Sequence, residues 1–325
     1  FYIGVTLGRF AKVNNISMEF ALKLLNSVIL FNCSIIILEI IFPNFRNFVE
    51  SFLVGSGNRD WGEGFRYRGV ASGGGAALSL LSPLSILIGF YLYKKGEYSL
   101  IAYIFFALLV GFSSMVIGRT GLVLSGLSLI VIVVMFLKTK GRDVFFLLGG
   151  SFIVISICAA FLYPFIEAIL LEQYGEGFFR YSFGFLFDGR EGIESEGTFS
   201  VLIGFLSVLP SEFPQIVTGY GFYGGSDFEP WTDSGLARTF LSLGIPLGLL
   251  FYIVLLSFMI CCFRRAEMSS IFYTCLIVLL LGELKEPMLY SGYASRVVIL
   301  MCAFFYVWKC EISKVNLNID MRIMK

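Results

Sequence analysis

The chain of 325 residues is 57% hydrophobic and 14% charged, with a mean hydropathy of +0.85 and a net charge of +1. A soluble globular domain carries about 25% charged residues, so this composition is that of an all-α polytopic integral membrane protein, and the near-neutral charge gives no footing for a nucleic-acid partner. Histidine is absent, which excludes histidine acid–base chemistry and histidine-ligated metal sites.

Taken in chain order, Phe1–Gly8 reads like the end of an apolar span, so further helices are expected upstream. No cleavable signal peptide is visible. A membrane-crossing helix needs about 20 mostly apolar residues. Eight complete candidates follow: Asn26–Phe42, Ala76–Tyr93, Leu100–Ile117, Leu122–Leu137, Val144–Phe165, Leu236–Cys262, Ile271–Leu284 and Ala294–Trp308. The last two are short. Extended aliphatic runs between polar breaks predict helices rather than barrel strands. Thr198–Leu209 is apolar but only twelve residues long. It reads as an interfacial or re-entrant helix, because a spanning one would invert the charge pattern that follows. Residues 166–235 then form one external loop of about 70 residues, a length that is uncommon without a function. Residues 1–325 make a single transmembrane domain.

Positive charge sets the orientation. Arg9, Lys12, Lys23, Lys94, Lys95, Lys138, Lys140, Arg142, Arg264, Arg265, Lys309, Lys314, Arg322 and Lys325 fall on one side, read as cytoplasmic. On the other side stand Arg46, Arg59, Arg66, Arg68, Arg119, Arg180, Arg190, Arg238, Lys285 and Arg296. Nine of ten lysines are therefore inside and nine of fourteen arginines outside. Topology gives no reason to place arginine outside. Its planar, permanently charged fork matches phosphate oxygens two at a time. Sixteen of the 23 acidic residues are also external, and Glu39 lies inside a span. The seven cysteines, Cys33, Cys158, Cys261, Cys262, Cys275, Cys302 and Cys310, sit in apolar spans or at their cytoplasmic edge. They read as small buried apolar residues.

Three external regions could carry chemistry. The first contains WGEGFRYRGVASGGG, where Arg66 and Arg68 alternate with Phe65 and Tyr67. Glycines and a following helix start favour close approach of an anion, although the same composition suits a solvated loop. The second is Gly118-Arg119-Thr120-Gly121, where an arginine is pinned between two helix ends, to bind a substrate or to snorkel to headgroups. The third is the long loop. It offers Arg180, Arg190 and Glu191, then GYGFYGGSDFEPWTDSGLARTF with Tyr220, Tyr223, Asp227, Glu229, Asp233 and Arg238. Aromatic faces and carboxylates suit sugar contact, but aromatic residues also form ordinary interfacial belts. Asp233 could cap the sixth span. Arg238 could pair with it or face a phosphate. Arg296 could join the same cavity or pair with Glu283 or Glu286.

The order is RYRGV in a loop, GRTG between spans, a long loop with a lone arginine, then GYGFYGGS and TDSGLARTFLSLGIPLGLLFYI. It resembles the Wzy-type polymerases that build O-antigen, capsule and related surface polysaccharides. It is also similar to the wider group that holds the O-antigen ligases. The resemblance implies a GT-C-type helix bundle acting on oligosaccharide repeat units carried by undecaprenyl diphosphate, at the outer face of the bacterial inner membrane. It implies that Arg119 and Arg180 bind the diphosphate. The ligases carry a histidine where this chain has Asp233, which favours the polymerase and makes Asp233 the expected catalytic base, with Glu191 and Glu229 behind it. Arg66, Arg68, Arg190, Arg238, Arg296, Tyr220 and Tyr223 are expected to line the substrate site. No cofactor is called for. A chain-length regulator and a flippase are partners implied by the resemblance alone. A ligase-like enzyme and a transporter of lipid-linked sugars are the alternative readings.

Overall fold

In hydrocarbon a backbone must satisfy its own polar groups, and a run of aliphatic residues does so as helix. The computed structural model is all-α over the residues it describes, which are 2–14, 16–53, 67–71, 75–140, 204, 208–221, 232–264, 266, 268–290 and 292–323. In chain order its helices are α1 (Tyr2–Val13), α2 (Met18–Ile41), α3 (Pro43–Phe52), α4 (Ala76–Ser79), α5 (Leu81–Lys94), α6 (Leu100–Ile117), α7 (Arg119–Lys140), α8 (Phe213–Thr218), α9 (Gly235–Phe263), α10 (Ser269–Glu283) and α11 (Gly292–Ile323).

Four stretches, Met18–Ile41, Ala77–Lys94, Leu100–Ile117 and Gly235–Phe263, are long and apolar enough to cross a membrane, and shorter apolar helices cover Thr120–Phe136, Ser269–Glu283 and Gly292–Val307. Their surfaces fit lipid. Ile101, Phe105, Leu108 and Phe112 are exposed on α6, and Leu247, Leu250 and Val254 on α9. Steps of three and four residues keep each set on one helix face. Water-soluble proteins rarely expose apolar patches of that extent. This is a membrane protein.

The helices depart from the hydropathy reading in identifiable places. The first span begins at Met18 rather than Asn26, so Lys23 lies within it. Its polar first turns are tolerated because they have partners. Tyr91 Oη donates to Glu19 Oε1 at 3.2 Å, and Lys23 Nζ lies 3.3 Å from Glu97 Oε2. The second span is interrupted at Leu80, between α4 and α5. The eighth continues as helix past Trp308 to Ile323. Residues Tyr2–Gly8 belong to a helix that runs to Val13 and packs against α11. Cys261 is exposed, whereas Cys33, Cys262, Cys275 and Cys302 are buried. Val144–Phe165, nearly all of Thr198–Leu209 and most of the 166–235 loop lie outside the described residues.

The chain divides into two compact units. One comprises Phe1–Phe31, Leu87–Ala107 and Leu202–Lys325. Its core is an aromatic cluster in which the Phe272 ring lies 4.7 Å from Phe305, 5.4 Å from Tyr91 and 5.6 Å from Phe263. The other comprises Asn32–Ile86 and Leu108–Val201. Ile36, Leu80, Leu84, Ile86 and Val110 are fully buried there.

Helix α9 is broken near its start. Gly244 has φ 75° and ψ 166°, and Pro246 follows inside the helix. A proline has no N–H to give the carbonyl four residues back, which is that of Ser242. Leu241 and Ser242 turn their freed carbonyls to the loop that follows α8 instead. Tyr220 N donates to Leu241 O at 2.6 Å and Gly221 N to Ser242 O at 3.1 Å. The residues that follow α8 are thereby tied to the break in α9.

Candidate functional site

Two polar clusters are built on helix ends that carry arginines, one in each unit. The first begins with Glu39, near the C-terminus of α2 and buried. A carboxylate in that place requires donors. The Gly69 amide donates to it, and Arg46 and Arg68 are the cations that face it. Arg46 is fixed from two further sides. Its Nε lies 3.0 Å from Glu50 Oε1, one turn along α3, and its guanidinium stands 4.6 Å from the centre of the buried Tyr67 ring. The RYRGV segment is clipped to α2 by Asn32, whose Nδ2 donates to Arg68 O at 3.3 Å and whose Oδ1 accepts from Val70 N at 2.9 Å.

The same segment reaches the GRTG turn. Tyr67 N donates to Val116 O at 3.2 Å, three residues before Arg119. Gly118 is the single non-helical residue between α6 and α7, and Arg119 opens α7. Gly121 N donates to Ser79 Oγ at 3.1 Å, which docks the start of α7 on α4. The segments of Arg68 and Arg119, far apart in sequence, are thus joined within one unit.

The second cluster stands where α9 begins. Ser234 caps the helix, its Oγ accepting from Ala237 N at 3.3 Å. Asp233 does not take the capping role, because the serine hydroxyl one residue later already reaches that amide. Asp233 pairs with Arg238 instead, Oδ1 to Nη2 at 3.2 Å. Arg238 Nε also donates to Thr232 O at 2.6 Å, which folds the residues before the helix back onto its first turn. This ion pair is part-exposed, with side-chain exposures of 38% for Asp233 and 20% for Arg238, so it is open to a ligand.

Behind that pair, Glu283 closes α10 and is buried. Its Oε2 accepts from Met288 N at 2.5 Å and Leu289 N at 2.7 Å. Its Oε1 accepts from Tyr252 Oη at 2.7 Å. Both carboxylate oxygens are therefore engaged, and the proposed pairing with Arg296 is not formed. Arg296 is exposed on the first turns of α11, 5.8 Å from the Tyr293 ring centre.

Of the residues predicted from sequence, Asp233 and Arg238 are brought together, and Arg68 and Arg119 share one unit through their segments. Tyr220 sits at the α9 break, held there by its backbone. Arg66, Arg180, Arg190, Glu191, Tyr223 and Glu229 lie outside the described residues. Sequence reasoning passed over Glu39 as a lone intramembrane acid and treated Glu283 as a surface partner for Arg296. An ionisable residue on an apolar helix is a functional signal by default, and both carry it.

Comparison of the chain with protein-family models, with curated proteins and with solved structures finds no match.

Proposed function

We propose that this protein is a membrane glycosyltransferase. It joins oligosaccharide repeat units carried on undecaprenyl diphosphate into O-antigen, capsule or exopolysaccharide, at the outer side of a bacterial inner membrane. The observation that carries this reading is the sorting of arginine from lysine, with the arginines at the ends of apolar helices. Arg119 opens α7 and Arg238 lies in the first turn of α9 beside a part-exposed carboxylate. That is the equipment for a diphosphate whose lipid tail stays in the bilayer.

In the reaction, a hydroxyl of one lipid-linked unit attacks the anomeric carbon of another. The bond from that carbon to the diphosphate oxygen breaks, and lipid diphosphate leaves with the electron pair. Negative charge gathers on the leaving group in the transition state, where fixed guanidinium groups stabilise it. Arg119, Arg180 and Arg238 supply them, and Arg66, Arg68, Arg190 and Arg296 widen the cationic surface. Asp233, held by Arg238, meets the attacking hydroxyl. Tyr220, Tyr223, Glu191 and Glu229 contact the sugars.

The test is polymerisation by the purified protein from a synthetic undecaprenyl-diphosphate repeat unit. A glycan ladder is expected. Arg119→Lys and Arg180→Lys should each lower the rate by about 10²–10³, because lysine keeps the charge and loses the fork. A ladder unaffected by both substitutions would discard the site but keep the function. One observation favours a second reading, transport of lipid-linked sugar. Broken helices such as α9 recur where transporters bind substrate. Movement of the labelled lipid between leaflets, without any ladder, is the outcome that selects it.

A further inference from the structure

The α3 sequence PNFRNFVESF places phenylalanine at positions 45, 48 and 52. Steps of three and four set these residues on one helix face. The chain turns out of α2 at Phe42, which is extended with φ −125° and ψ 93°, and Pro43 opens α3. A residue before proline avoids helix, and proline suits a first helical turn. The rings form a ladder, with centres 6.1 Å apart from Phe45 to Phe48 and 4.8 Å apart from Phe48 to Phe52. Phe48 and Phe52 are exposed, and Phe45 is half-buried. The other side of the helix is held by the protein. Val49 is buried, and Arg46 meets Glu50 and the Tyr67 ring and faces Glu39.

Three observations bear on what covers the phenylalanine face. The first is depth. Helix α2 has 24 residues, about 36 Å of helix, enough to cross a hydrocarbon core of about 30 Å. Helix α3 therefore starts at the edge of the bilayer, and the exposed Leu38, Ile41 and Phe42 carry the lipid-facing surface of α2 up to it. The second is composition. An interfacial belt is made of tryptophan and tyrosine, whose polar tips reach the headgroups, and α3 has neither. The exposed face of α9 is aliphatic, with Leu247, Leu250 and Val254. That of α3 is phenylalanine alone. Flat ring faces suit a chain of isoprene units, each a flat, branched alkene, better than a saturated acyl chain. The third is neighbourhood. Arg46 stands over the Tyr67 ring, Arg68 follows Tyr67, and the Tyr67 amide is bonded to Val116 O, three residues before Arg119. One pair of side chains thus joins the phenylalanine face to the segments that carry Arg68 and Arg119, all in one unit. A ligand with an anionic head and an apolar tail needs these two surfaces side by side.

We propose that Phe45, Phe48 and Phe52 seat the first isoprene units of a polyprenyl diphosphate. This rests on the glycosyltransferase reading above and adds the place where the lipid is held. The tail lies along α3 at the edge of the bilayer, and the diphosphate meets the segments of Arg68 and Arg119. Glu39 and Glu50 keep the Arg46 guanidinium over the Tyr67 ring, so Arg46 is a wall between the two subsites rather than a phosphate ligand. The seat selects a prenyl tail over the acyl tails of the surrounding lipid.

Two measurements on the full-length protein test this. The first is steady-state polymerisation by wild type and by the double variant Phe48→Leu/Phe52→Leu, which keeps the surface apolar and removes two rings. KM for the undecaprenyl-diphosphate repeat unit should rise about 5–10-fold at near-constant kcat. For the same unit on a fully saturated tail of equal length, the rise should stay below about twofold. An unchanged KM overturns the proposal, and so does an equal rise with both tails. The second needs no turnover. Undecaprenyl diphosphate with a diazirine in its first isoprene units is photolysed with wild type in phospholipid nanodiscs. Label should fall on Pro43–Phe52 and be displaced by undecaprenyl phosphate but not by added phosphatidylglycerol. Displacement by the phospholipid makes α3 an ordinary lipid contact and overturns the proposal. A dimer that comes apart in the double variant also overturns it, because the face would then join two copies of the chain. Label on α3 without any ladder from wild type keeps the prenyl seat and counts against the glycosyltransferase reading. A ladder without label on α3 does the reverse.

Discussion

Glu39 and Glu283 are both carboxylates buried on apolar helices, and they are stabilised by opposite means. Glu39 is answered by charge: Arg46 and Arg68 face it, with Glu50 beyond. Glu283 is answered by neutral donors, two backbone amides and a phenol. The contrast teaches where each cluster is brittle. In the Glu39 cluster, Arg46 keeps Glu50 and the Tyr67 ring if the carboxylate is lost. In the Glu283 cluster Tyr252 keeps the Gly235 carbonyl and Thr239, but the Met288 and Leu289 amides lose the oxygen that holds them.

The largest expected effect follows directly. Glu283→Leu orphans the Met288 and Leu289 amides. Each unsatisfied buried donor costs about 1–3 kcal/mol, so the variant should lose several kcal/mol and give little monodisperse protein in detergent. Glu39→Leu should cost less, about 1–2 kcal/mol, because Arg46 keeps Glu50 and the Tyr67 ring, the leucine suits an apolar helix, and the Gly69 amide is the one backbone donor that loses its acceptor. Thermal denaturation of the two purified variants side by side checks the order. Equal losses would erase the distinction between the clusters.

Glycines sharpen the comparison at an intermediate level. A Cβ on Gly235 would meet Glu283 Oε1 and the Pro287 Cα, both at 2.5 Å. Gly235→Ala must push the carboxylate off the first turn of α9, at about 1–3 kcal/mol. Gly244→Ala forces an alanine into positive φ at the helix break and against the Val217 carbonyl. The backbone strain alone is about 1–2 kcal/mol. Both should lower the melting temperature. An unchanged melting temperature in Gly244→Ala would mean that α9 straightens at no cost.

The fold was legible where the signal is additive. Aliphatic runs report membrane helices by length, so the described helices fall close to the predicted spans. The errors come from averaging. A hydropathy window stops at Glu19 and Lys23, yet α2 includes both because Tyr91 and Glu97, distant in sequence, supply partners. The same averaging hid Glu283, which looks like the polar end of a span. What makes it unusual is contact with Tyr252, 31 residues away, across two helices. No local pattern encodes that contact. The i,i+4 spacing of Arg46 and Glu50 is local and was readable, as was the proline of the α9 break. Asp233 as a cap was a fair expectation from residue type, undone by a serine one position better placed.

The smallest effect concerns Arg46 itself. The guanidinium makes a bond to Glu50 at 3.0 Å and lies 4.6 Å from the Tyr67 ring centre, so one planar group serves both an edge and a face. A lysine ammonium is compact and can satisfy the carboxylate or sit over the ring, not both in the same pose. Part-exposed ion pairs contribute about 0.2–1 kcal/mol and cation–π contacts about 0.5–1 kcal/mol. Arg46→Lys should therefore cost under about 1 kcal/mol. A double-mutant cycle with Tyr67→Leu separates the two contributions, because Tyr67→Leu removes the ring and leaves Glu50 in place. If Arg46→Lys costs nothing in wild type and nothing in the Tyr67→Leu background, charge alone governs the first cluster. If the cost in wild type vanishes in the Tyr67→Leu background, the shape of the guanidinium matters even in the cluster built on charge.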